Sequence, residues 1–538
     1  MKLLYNACIH TLDTTRPSAS AIAVGHGRVL AVGETQELLT EFERAEKQDM
    51  QGHTILPGLT DAHLHLEQYG LSLQKIDCET NSLQECLRRV AERAQTAAPG
   101  EWILGHGWNQ NNWSSPPSGT MGGTEGGYWP TLADLDAVAP HNPVYLTAKS
   151  LHAAWANSAA LRLAGIHAGS PDPANGRIQR DARGQPTGIL LETAMELVGA
   201  AVPAPSVETI VQAIQQAQPA LWRMGLTGLH DFDRRNCFIA LQQLHQQGKL
   251  RLRILKSIPL EDLPSAAALG LRTGLGDDWL RIGAVKVFMD GALGPRTAAM
   301  FQPYEGEPEN RGILNMDAEE LFDIGRQAAE AGLSLAVHAI GDLANHEVLD
   351  AYAQLRRFER TRGLLPLRQR IEHVQVLHPD DASRLAELGV VASMQPIHAT
   401  SDMRMADQYW GERAALSYAW RTQVQHGARL AFGSDAPVES PNPFWGLHAA
   451  VTRQRSDGSP GPDGWRPEQR LSLHEALAGF TLGPAYVAGL EDRAGKLAPG
   501  CLADLIVLEQ DPFTVPPTAL LEMKPTAAMV GGEWTWQV

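Results

Sequence analysis

The residues best suited to do chemistry are two histidines in the segment 61–65, Asp-Ala-His-Leu-His. They come directly after an apolar run that has the composition of a β-strand. Alternate residues of an extended chain point the same way, so His63 and His65 can offer both imidazoles to one cation. A pair of packed histidines without metal gives the same pattern, but the preceding Pro-Gly-Leu-Thr at 57–60 favours the metal interpretation.

Three more potential ligands end later apolar runs, namely His338, His373 and Asp435. One histidine at a strand end is more often structural than a ligand. Four imidazoles and one carboxylate together are what one or two Zn²⁺-like ions require. Asp435 can also accept a proton from metal-activated water. The alternative for Asp435 is an N-cap, which Pro437 makes less attractive.

A lysine, Lys286, lies inside the apolar run 283–288. Burial disfavours the ammonium form and lowers the pKa of a lysine. A neutral amine reacts with CO₂ to give a carbamate, whose two oxygens can bridge two cations. A buried lysine paired with Asp290 or another carboxylate fits the spacing equally well, and the sequence leaves both interpretations open.

Six residues are weaker candidates for substrate contacts because each has an ordinary structural interpretation. They are Gln395, His398, His152, Trp108, Asn109 and Asp290. Gln395 and His398 follow an apolar run, whereas His152, Trp108 and Asn109 lie in a region rich in tryptophan and glycine. His230, at another strand end, can be purely structural.

The apolar runs alternate with helical patterns, which favours βα units around a parallel sheet. The clearest runs cover residues 54–59, 226–230, 282–288, 333–338, 369–373, 390–395 and 429–435. Helical stretches such as 317–331 and 379–388 separate them. Most runs end in a polar residue, and catalytic residues of (β/α)8 enzymes occupy such strand ends. The sequence therefore predicts an α/β fold, a (β/α)8 TIM-like barrel over residues 57–489.

Both ends of the chain have β-like composition. Residues 21–24 and 28–32 flank a Gly-His-Gly turn, and residues 527–536 contain a Gly-Gly turn. We interpret residues 1–56 and 490–538 as one small β-sandwich domain. Residues from about 70 to 225 lack the short βα rhythm. They are interpreted as an insertion after the first barrel strand, folded over the mouth of the barrel.

The composition narrows the class of protein. The formal net charge of −16 over 538 residues argues against a nucleic-acid partner. Five dispersed cysteines without a CxxC pair are typical of a reducing compartment. No run approaches the roughly 18 apolar residues of a membrane span, and the N-terminus lacks a signal-peptide core. These features predict a cytoplasmic protein with a small-molecule substrate and no membrane association, compatible with a homodimer.

In their order along the chain, these motifs resemble the amidohydrolase superfamily and, within it, the amidohydrolase-3 group that includes N-substituted formamide deformylase-like proteins. The resemblance covers almost the whole chain and rests on residues 56–65, 285–294, 337–342, 371–373, 432–439 and 495–505. It implies that His63 and His65 bind one metal ion and that His338 and His373 bind the other. It also implies a carboxylated, bridging Lys286 and an Asp435 that acts as ligand and general base.

The implied activity is metal-dependent cleavage of a C–N bond in an amide, N-substituted formamide, carbamate or cyclic amide. The implied cofactors are one or two divalent ions, Zn²⁺ first, with N6-carboxylysine at Lys286. Residues 149–152 and the loop 119–127 depart from the family pattern and weaken inference about the substrate. Two alternatives stay open: an ester, lactone or phosphotriester hydrolase on the same site, and a catalytically silent regulatory protein on the same scaffold.

Overall fold

The computed structural model of the chain describes residues 1–110, 113, 129–149, 153–174 and 176–538. These residues form two compact units, one of Met1–Tyr69 with Ile210–Val538 and the other of Gly70–Thr209. The smaller unit begins where the sequence predicts an insertion. Its predicted placement over a barrel mouth stays a prediction, as do the predicted domain limits. No helix of the described residues is long and apolar enough to cross a membrane.

The larger unit contains a barrel of eight strands. They are β6 (Leu59–Leu64), β13 (Leu226–Asp231), β14 (Arg253–Pro259), β15 (Leu280–Phe288), β16 (Leu335–Ala339), β17 (Arg370–His373), β18 (Val391–Met394) and β19 (Leu430–Phe432). Neighbours in this order pair in parallel. Backbone hydrogen bonds close the barrel, from Asp435 N–H to His63 O at 2.7 Å and from His65 N–H to Ala436 O at 2.9 Å. The predicted (β/α)8 TIM-like barrel is confirmed.

Helices follow most of the barrel strands, as the alternating pattern predicts. The helices outside the smaller unit's interior are α1 (Thr35–Glu41), α2 (Leu66–Ser72), α7 (Val207–Arg223), α8 (Arg235–Gln246), α9 (Leu263–Ala268), α10 (Ala318–Ala331), α11 (Asp342–Arg362), α12 (Arg384–Leu388), α13 (Pro396–Trp410), α14 (Trp420–His426), α15 (Pro443–Thr452), α16 (Leu473–Gly479) and α17 (Leu482–Val487). Helix α10 shows how local sequence sets the two ends of a helix. It begins at a capping box formed by Asp317 and Glu320, and it ends at Gly332, whose φ is 75°.

Both ends of the chain contribute to a second eight-stranded sheet. Its strands are β1 (Lys2–His10), β2 (Ser18–Gly25), β3 (Arg28–Gly33), β4 (Glu46–Asp49), β5 (Thr54–Pro57), β20 (Leu505–Leu508), β21 (Pro525–Val530) and β22 (Glu533–Gln537). Strand β5 pairs with β1 on one side and with β20 on the other. The two predicted hairpins are present as β2–β3 and β21–β22. That this sheet is a separate β-sandwich domain stays a prediction.

The run 54–59, predicted as a single β-like run, is divided between the two sheets. Strand β5 belongs to the sheet of the chain ends and β6 belongs to the barrel. The chain passes from one to the other at Gly58, where a Cβ would lie 2.3 Å from Thr227 Oγ1. The prediction that the histidine pair follows the strand is therefore wrong for His63, which lies within β6.

The sequence patterns missed one barrel strand, β14, because Lys256 interrupts its apolar run. Lys256 is buried, and its Nζ lies 2.8 Å from Asp231 Oδ2 on the neighbouring strand β13. Burial lowers the pKa of this lysine, but the Asp231 carboxylate outweighs the burial and raises it. The pair is thus a buried ion pair inside the barrel wall.

We expect Lys256→Ala to lower the free energy of unfolding by about 3–5 kcal/mol, because Asp231 would be left buried without its cation. Urea unfolding followed by circular dichroism measures the loss. The exposed Lys249 provides the control, and Lys249→Ala should change the free energy by less than about 0.5 kcal/mol. Equal effects of the two variants would contradict a structural role for the pair.

The smaller unit has its own six-stranded sheet. Its strands are β7 (Ile76–Asp77), β8 (Ile103–Trp108), β9 (Val144–Ala148), β10 (Ala153–Ala156), β11 (Gly176–Arg180) and β12 (Pro186–Glu192), and its helices are α3 (Leu83–Thr96), α4 (Leu132–Val138), α5 (Ser158–Leu163) and α6 (Ala194–Gly199). Trp108 and Trp155 are completely buried in its core, with ring centroids 6.3 Å apart. This core accounts for much of the tryptophan in the predicted insertion.

Candidate metal centre

The ends of the barrel strands bring the six predicted metal ligands together. They come from β6 (His63, and His65 directly after it), β15 (Lys286), β16 (His338), β17 (His373) and the residues after β19 (Asp435). The ring centroid of His373 lies 4.9 Å from that of His63 and 4.6 Å from that of His338. The sequence therefore places these side chains on a common edge of the barrel, as parallel strands must.

The carboxylate of Asp435 lies close to histidines of both neighbouring clusters. Its Oδ1 lies 3.5 Å from the Nε2 atoms of both His63 and His65. Donor atoms of His373, His398 and Asp435 form a second group within 4.8 Å of one another. Asp435 is thus common to two clusters that could each hold a cation.

Asp61 and Gly433 allow the first and last barrel strands, β6 and β19, to lie close together. The Asp61 carboxylate accepts the N–H groups of His63 at 3.0 Å and Ser434 at 3.1 Å. A Cβ on Gly433 would lie 2.5 Å from the His63 nitrogen and 2.6 Å from Asp61 Oδ1. Burial raises the pKa of Asp61 to about 7. The closure of the barrel thereby fixes Asp435 beside the histidine pair.

Each of the four histidines has one ring nitrogen close to an acceptor outside the cluster. The pairs are His63 Nδ1 with Glu372 Oε2 at 2.6 Å, His65 Nδ1 with Asp233 Oδ1 at 3.3 Å, His338 Nε2 with Gly291 O at 2.8 Å and His373 Nδ1 with Gln395 Oε1 at 2.9 Å. A proton on the outer nitrogen leaves a lone pair on the other one. Outer acceptors of this kind orient metal-binding imidazoles.

Glu372 is the most strongly held of these acceptors. It is completely buried between His63 and Arg370, whose Nε lies 2.7 Å from Glu372 Oε1. Burial alone would raise the pKa of this carboxyl, but Arg370 and His63 outweigh it and lower the pKa to about 2. Arg370 Nη1 also lies 3.1 Å from Nδ1 of the buried His230. Glu372 is therefore a charged acceptor fixed in one position.

We expect Glu372→Gln to weaken metal binding and activity by about 10–100-fold, because the amide is a poorer acceptor for His63. The loss of the charge opposite Arg370 should also lower the free energy of unfolding by about 3–5 kcal/mol. Competition with a chromogenic chelator measures the metal affinity. Glu387→Gln, on helix α12, is the control, and an affinity unchanged in both variants would contradict the orienting role of Glu372.

Lys286 lies beside the same cluster in an apolar setting. Its Nζ is 4.6 Å from the ring centroid of Phe232 and 4.9 Å from that of Phe288. Burial lowers the pKa of this lysine to about 8. Of the residues that the structure describes, none places a carboxylate oxygen within 4.0 Å of Nζ, and the ion pair with Asp290 considered from the sequence is not formed. The amine is therefore available for modification.

The donor set fits a divalent metal ion. Imidazole and carboxylate ligands suit Zn²⁺, and two neighbouring clusters that share one carboxylate suit one or two ions. The fit also rests on the outer acceptors, which direct the protons of the imidazoles away from the cluster. His63, His65, His373 and Asp435 lie in these two clusters together with His398, whereas His338 and Lys286 remain ligands predicted from the sequence.

The predicted substrate contacts fall into two groups. Gln395, His398 and Asp290 lie next to the ligands: Gln395 contacts His373, the rings of His398 and His373 are 6.2 Å apart, and Asp290 Oδ1 is 3.5 Å from His338 Nε2. The Asp290 carboxylate also accepts three backbone N–H groups, and burial raises its pKa to about 7. These positions are close enough to the centre for contact with a substrate, and the roles stay predictions.

The other three substrate candidates belong to the smaller unit. Trp108 is completely buried in its core and donates from Nε1 to Leu146 O at 2.9 Å. Asn109 follows Trp108 directly, at the end of β8. His152 lies outside the described residues. The structure thus gives Trp108 a packing role, and substrate binding by these three residues stays a prediction.

The sequence analysis missed the residues that line the cavity beside Lys286 and His65. This cavity has a volume of about 500 Å³, and its other lining residues include Glu67, Phe232, Asp233, Arg234, Glu261, Phe288 and Met316. Phe232 and Asp233 directly follow the end of β13, so the strand-end rule could have found them. Through this cavity a small molecule can reach His65 and Lys286.

Comparison with known proteins agrees with this geometry. The chain is similar to protein LONG AFTER FAR-RED 3 of Arabidopsis thaliana, with 34% identity over 522 residues, 94% of this chain and 86% of that protein. It is similar to the N-substituted formamide deformylase of Arthrobacter pascens, with 29% identity over 554 residues, 98% of this chain and 97% of that protein.

Among solved structures, an uncharacterized metal-dependent hydrolase from Pyrococcus furiosus superposes with a TM-score of 0.77 and 30% identity. The match covers 95% of this chain and 100% of that one. The sequence profile of the Amidohydrolase family matches residues 46–535. With its barrel, its predicted ligands at the strand ends and this match over most of its length, the chain belongs to the amidohydrolase family, in the amidohydrolase-3 group.

Proposed function

We propose that this protein is a metal-dependent hydrolase that cleaves the C–N bond of an amide, N-substituted formamide, carbamate or cyclic amide. The observation that carries the proposal is the convergence of four imidazoles and Asp435 at the barrel strand ends, with every outer ring nitrogen near an acceptor. Membership of the amidohydrolase family supports a hydrolase. Similarity to an N-substituted formamide deformylase supports the C–N bond as its target.

The proposed ligand roles are those that the resemblance to the amidohydrolase family implies. His63 and His65 would hold one ion, His338 and His373 would hold the other, and Lys286, as N6-carboxylysine, would supply a carboxylate oxygen to each. Zn²⁺ is the proposed ion, because imidazole and carboxylate ligands suit it. When bound, it supplies a water nucleophile near neutral pH and polarises the carbonyl group of the substrate.

Asp435 is the proposed general base. Its carboxylate lies between the two histidine groups, so a water molecule held there is within its reach. Asp435 accepts the proton of the attacking water and returns it to the nitrogen of the leaving amine. The amine then departs neutral, which a poor leaving group such as an amide nitrogen requires.

The cavity beside Lys286 supports a substrate with an apolar part. Phe232, Phe288 and Met316 supply apolar lining, while Glu67 and Arg234 supply charged groups. Its volume of about 500 Å³ is in the range of small-molecule sites. An aryl or alkyl substituent on the amide nitrogen fits this lining.

A pair of matched substrates tests the proposal. N-Benzylformamide and benzyl formate release the same formate ion, which a coupled dehydrogenase assay measures. We expect cleavage of the formamide by the protein as purified, loss of activity after a chelator, and recovery with Zn²⁺. Cleavage of the ester alone, or no turnover of formamides, carbamates and cyclic amides by zinc-loaded protein, would overturn the proposal.

A further inference from the structure

A second cluster of metal-binding residue types lies outside the barrel, in the sheet formed by the chain ends. Cys8 and His10 are two residues apart on β1, so their side chains leave the strand on the same side. Asp511 follows β20. In the sheet, Cys8 pairs with Thr54 of β5, and Thr54 pairs with Leu508 of β20. The register of three strands thus brings the two ends of the chain together at this point.

The three donor atoms form a compact triangle. Cys8 Sγ lies 3.8 Å from His10 Nε2 and 3.5 Å from Asp511 Oδ2, and His10 Nε2 lies 3.0 Å from the same oxygen. Zinc bonds of about 2.0–2.3 Å to nitrogen, oxygen and sulfur give tetrahedral edges of about 3.4–3.6 Å. Shifts of about 0.4 Å or less would therefore convert the observed triangle into three corners of a zinc site.

The surroundings hold the ligands and leave one side open. The ring of Phe513 packs on His10, with the centroids 4.4 Å apart, and its backbone N–H donates to Asp511 Oδ1 at 2.9 Å. Asp511 Oδ2 is thereby left on the side of the thiol. A cavity of about 310 Å³, lined by His10, Phe513 and His474 among others, adjoins His10. Water or another small ligand can enter from this cavity.

We propose that Cys8, His10 and Asp511 form a second metal site, which binds one zinc-like divalent ion. A thiolate with an imidazole and a carboxylate selects Zn²⁺ over Mg²⁺ or Ca²⁺. Binding forms a metal–sulfur bond, and the thiol proton is released to the solvent. The ion ties β1 to the segment after β20, so it stabilises the folded chain ends. The proposal concerns residues outside the barrel and does not rest on the hydrolase activity.

Cobalt(II) distinguishes this site from the barrel centre. Cobalt bound to a thiolate has an intense sulfur-to-metal charge-transfer band in the near ultraviolet, and none of the six proposed barrel ligands is a cysteine. The full-length protein is treated with a chelator, dialysed and reloaded with excess CoCl₂. We expect the band in the wild type, its loss in Cys8→Ser and His10→Ala, and a decrease of about one ion per chain in both variants.

Cys237→Ala is the matched control, because Cys237 is the other cysteine near carboxylates, Asp231 and Asp233. This variant should keep the band. Circular dichroism confirms that each variant is folded, and the weaker cobalt bands of the barrel centre should persist in Cys8→Ser. A wild type without the charge-transfer band, or a band that survives in folded Cys8→Ser and disappears in Cys237→Ala, would overturn the proposal.

Discussion

Asp435→Asn should lower kcat/KM for a cleaved amide by about a thousandfold, the middle of the range for loss of a general base. Asparagine keeps the shape of the side chain but cannot accept a proton from water. Because the Asp435 carboxylate belongs both to the cluster with His63 and His65 and to the cluster with His373 and His398, the substitution also removes a charge from both proposed ion positions. Steady-state kinetics, with the metal content of each preparation measured beside them, test the expectation.

Asp463→Asn is the control for this variant, since Asp463 is exposed and far along the chain from the barrel strand ends. It should keep its activity within about a factor of two. If Asp435→Asn with normal metal content retained most of its kcat/KM, Asp435 would not be the base. A loss of activity that follows metal content alone would restrict Asp435 to ligation.

The second large effect is expected for Lys286→Ala. Alanine cannot carry a carbamate, so the metal content should fall by about one to two ions per chain, those of the barrel centre, and activity should fall by at least about a hundredfold. Lys286 is buried between Phe232 and Phe288, and no carboxylate of the described residues pairs with it. Elemental analysis of the purified proteins measures the metal content.

Lys524→Ala, at an exposed position, should bind as much metal as the wild type. Mass spectrometry of the intact wild-type protein under native conditions adds an independent measurement, because a carbamate increases the mass by that of one CO₂. About one ion per chain in both the wild type and Lys286→Ala would contradict the bridge. The hydrolase would then depend on His63, His65 and Asp435.

The barrel and the convergence of the predicted ligands at its strand ends could be predicted because both depend on local patterns. Apolar runs alternate with helical stretches. Helix α10, for example, begins one residue after the start of the predicted stretch 317–331 and ends where that stretch ends. Parallel strands place their carboxyl ends on one edge, so polar residues at those ends must converge. His338 and His373 could therefore be grouped with His63 from the sequence alone.

The outer acceptors could not be predicted in the same way. Glu372 contacts His63 across 309 positions of sequence, and Asp233 contacts His65 from the residues that follow β13. Such pairs depend on which strands are neighbours and on their register, and neither is contained in a local pattern. Lys256 is a further example. A lysine inside a barrel strand is explained by its ion pair with Asp231, and the sequence does not show that these two residues are neighbours.

The division of the run 54–59 has a related cause. Its composition suits a strand, but the position at which the chain changes sheets depends on Thr227, which leaves no room for a Cβ at Gly58. Trp108 shows that a local pattern has more than one interpretation. Aromatic residues near glycines suggest a substrate pocket, whereas the aromatic ring of Trp108 lies in a protein core.

The position of β5 between β1 and β20 has a consequence for how the chain is made. Strand β5 meets one of its two partners only after about 450 further residues have been synthesised, which takes roughly 25–90 s at ordinary translation rates. Until then one edge of β5 is unpaired, and the adjoining β6, which carries His63, is anchored to an incomplete sheet. Completion of the sheet next to the strand of His63 therefore waits for the synthesis of β20.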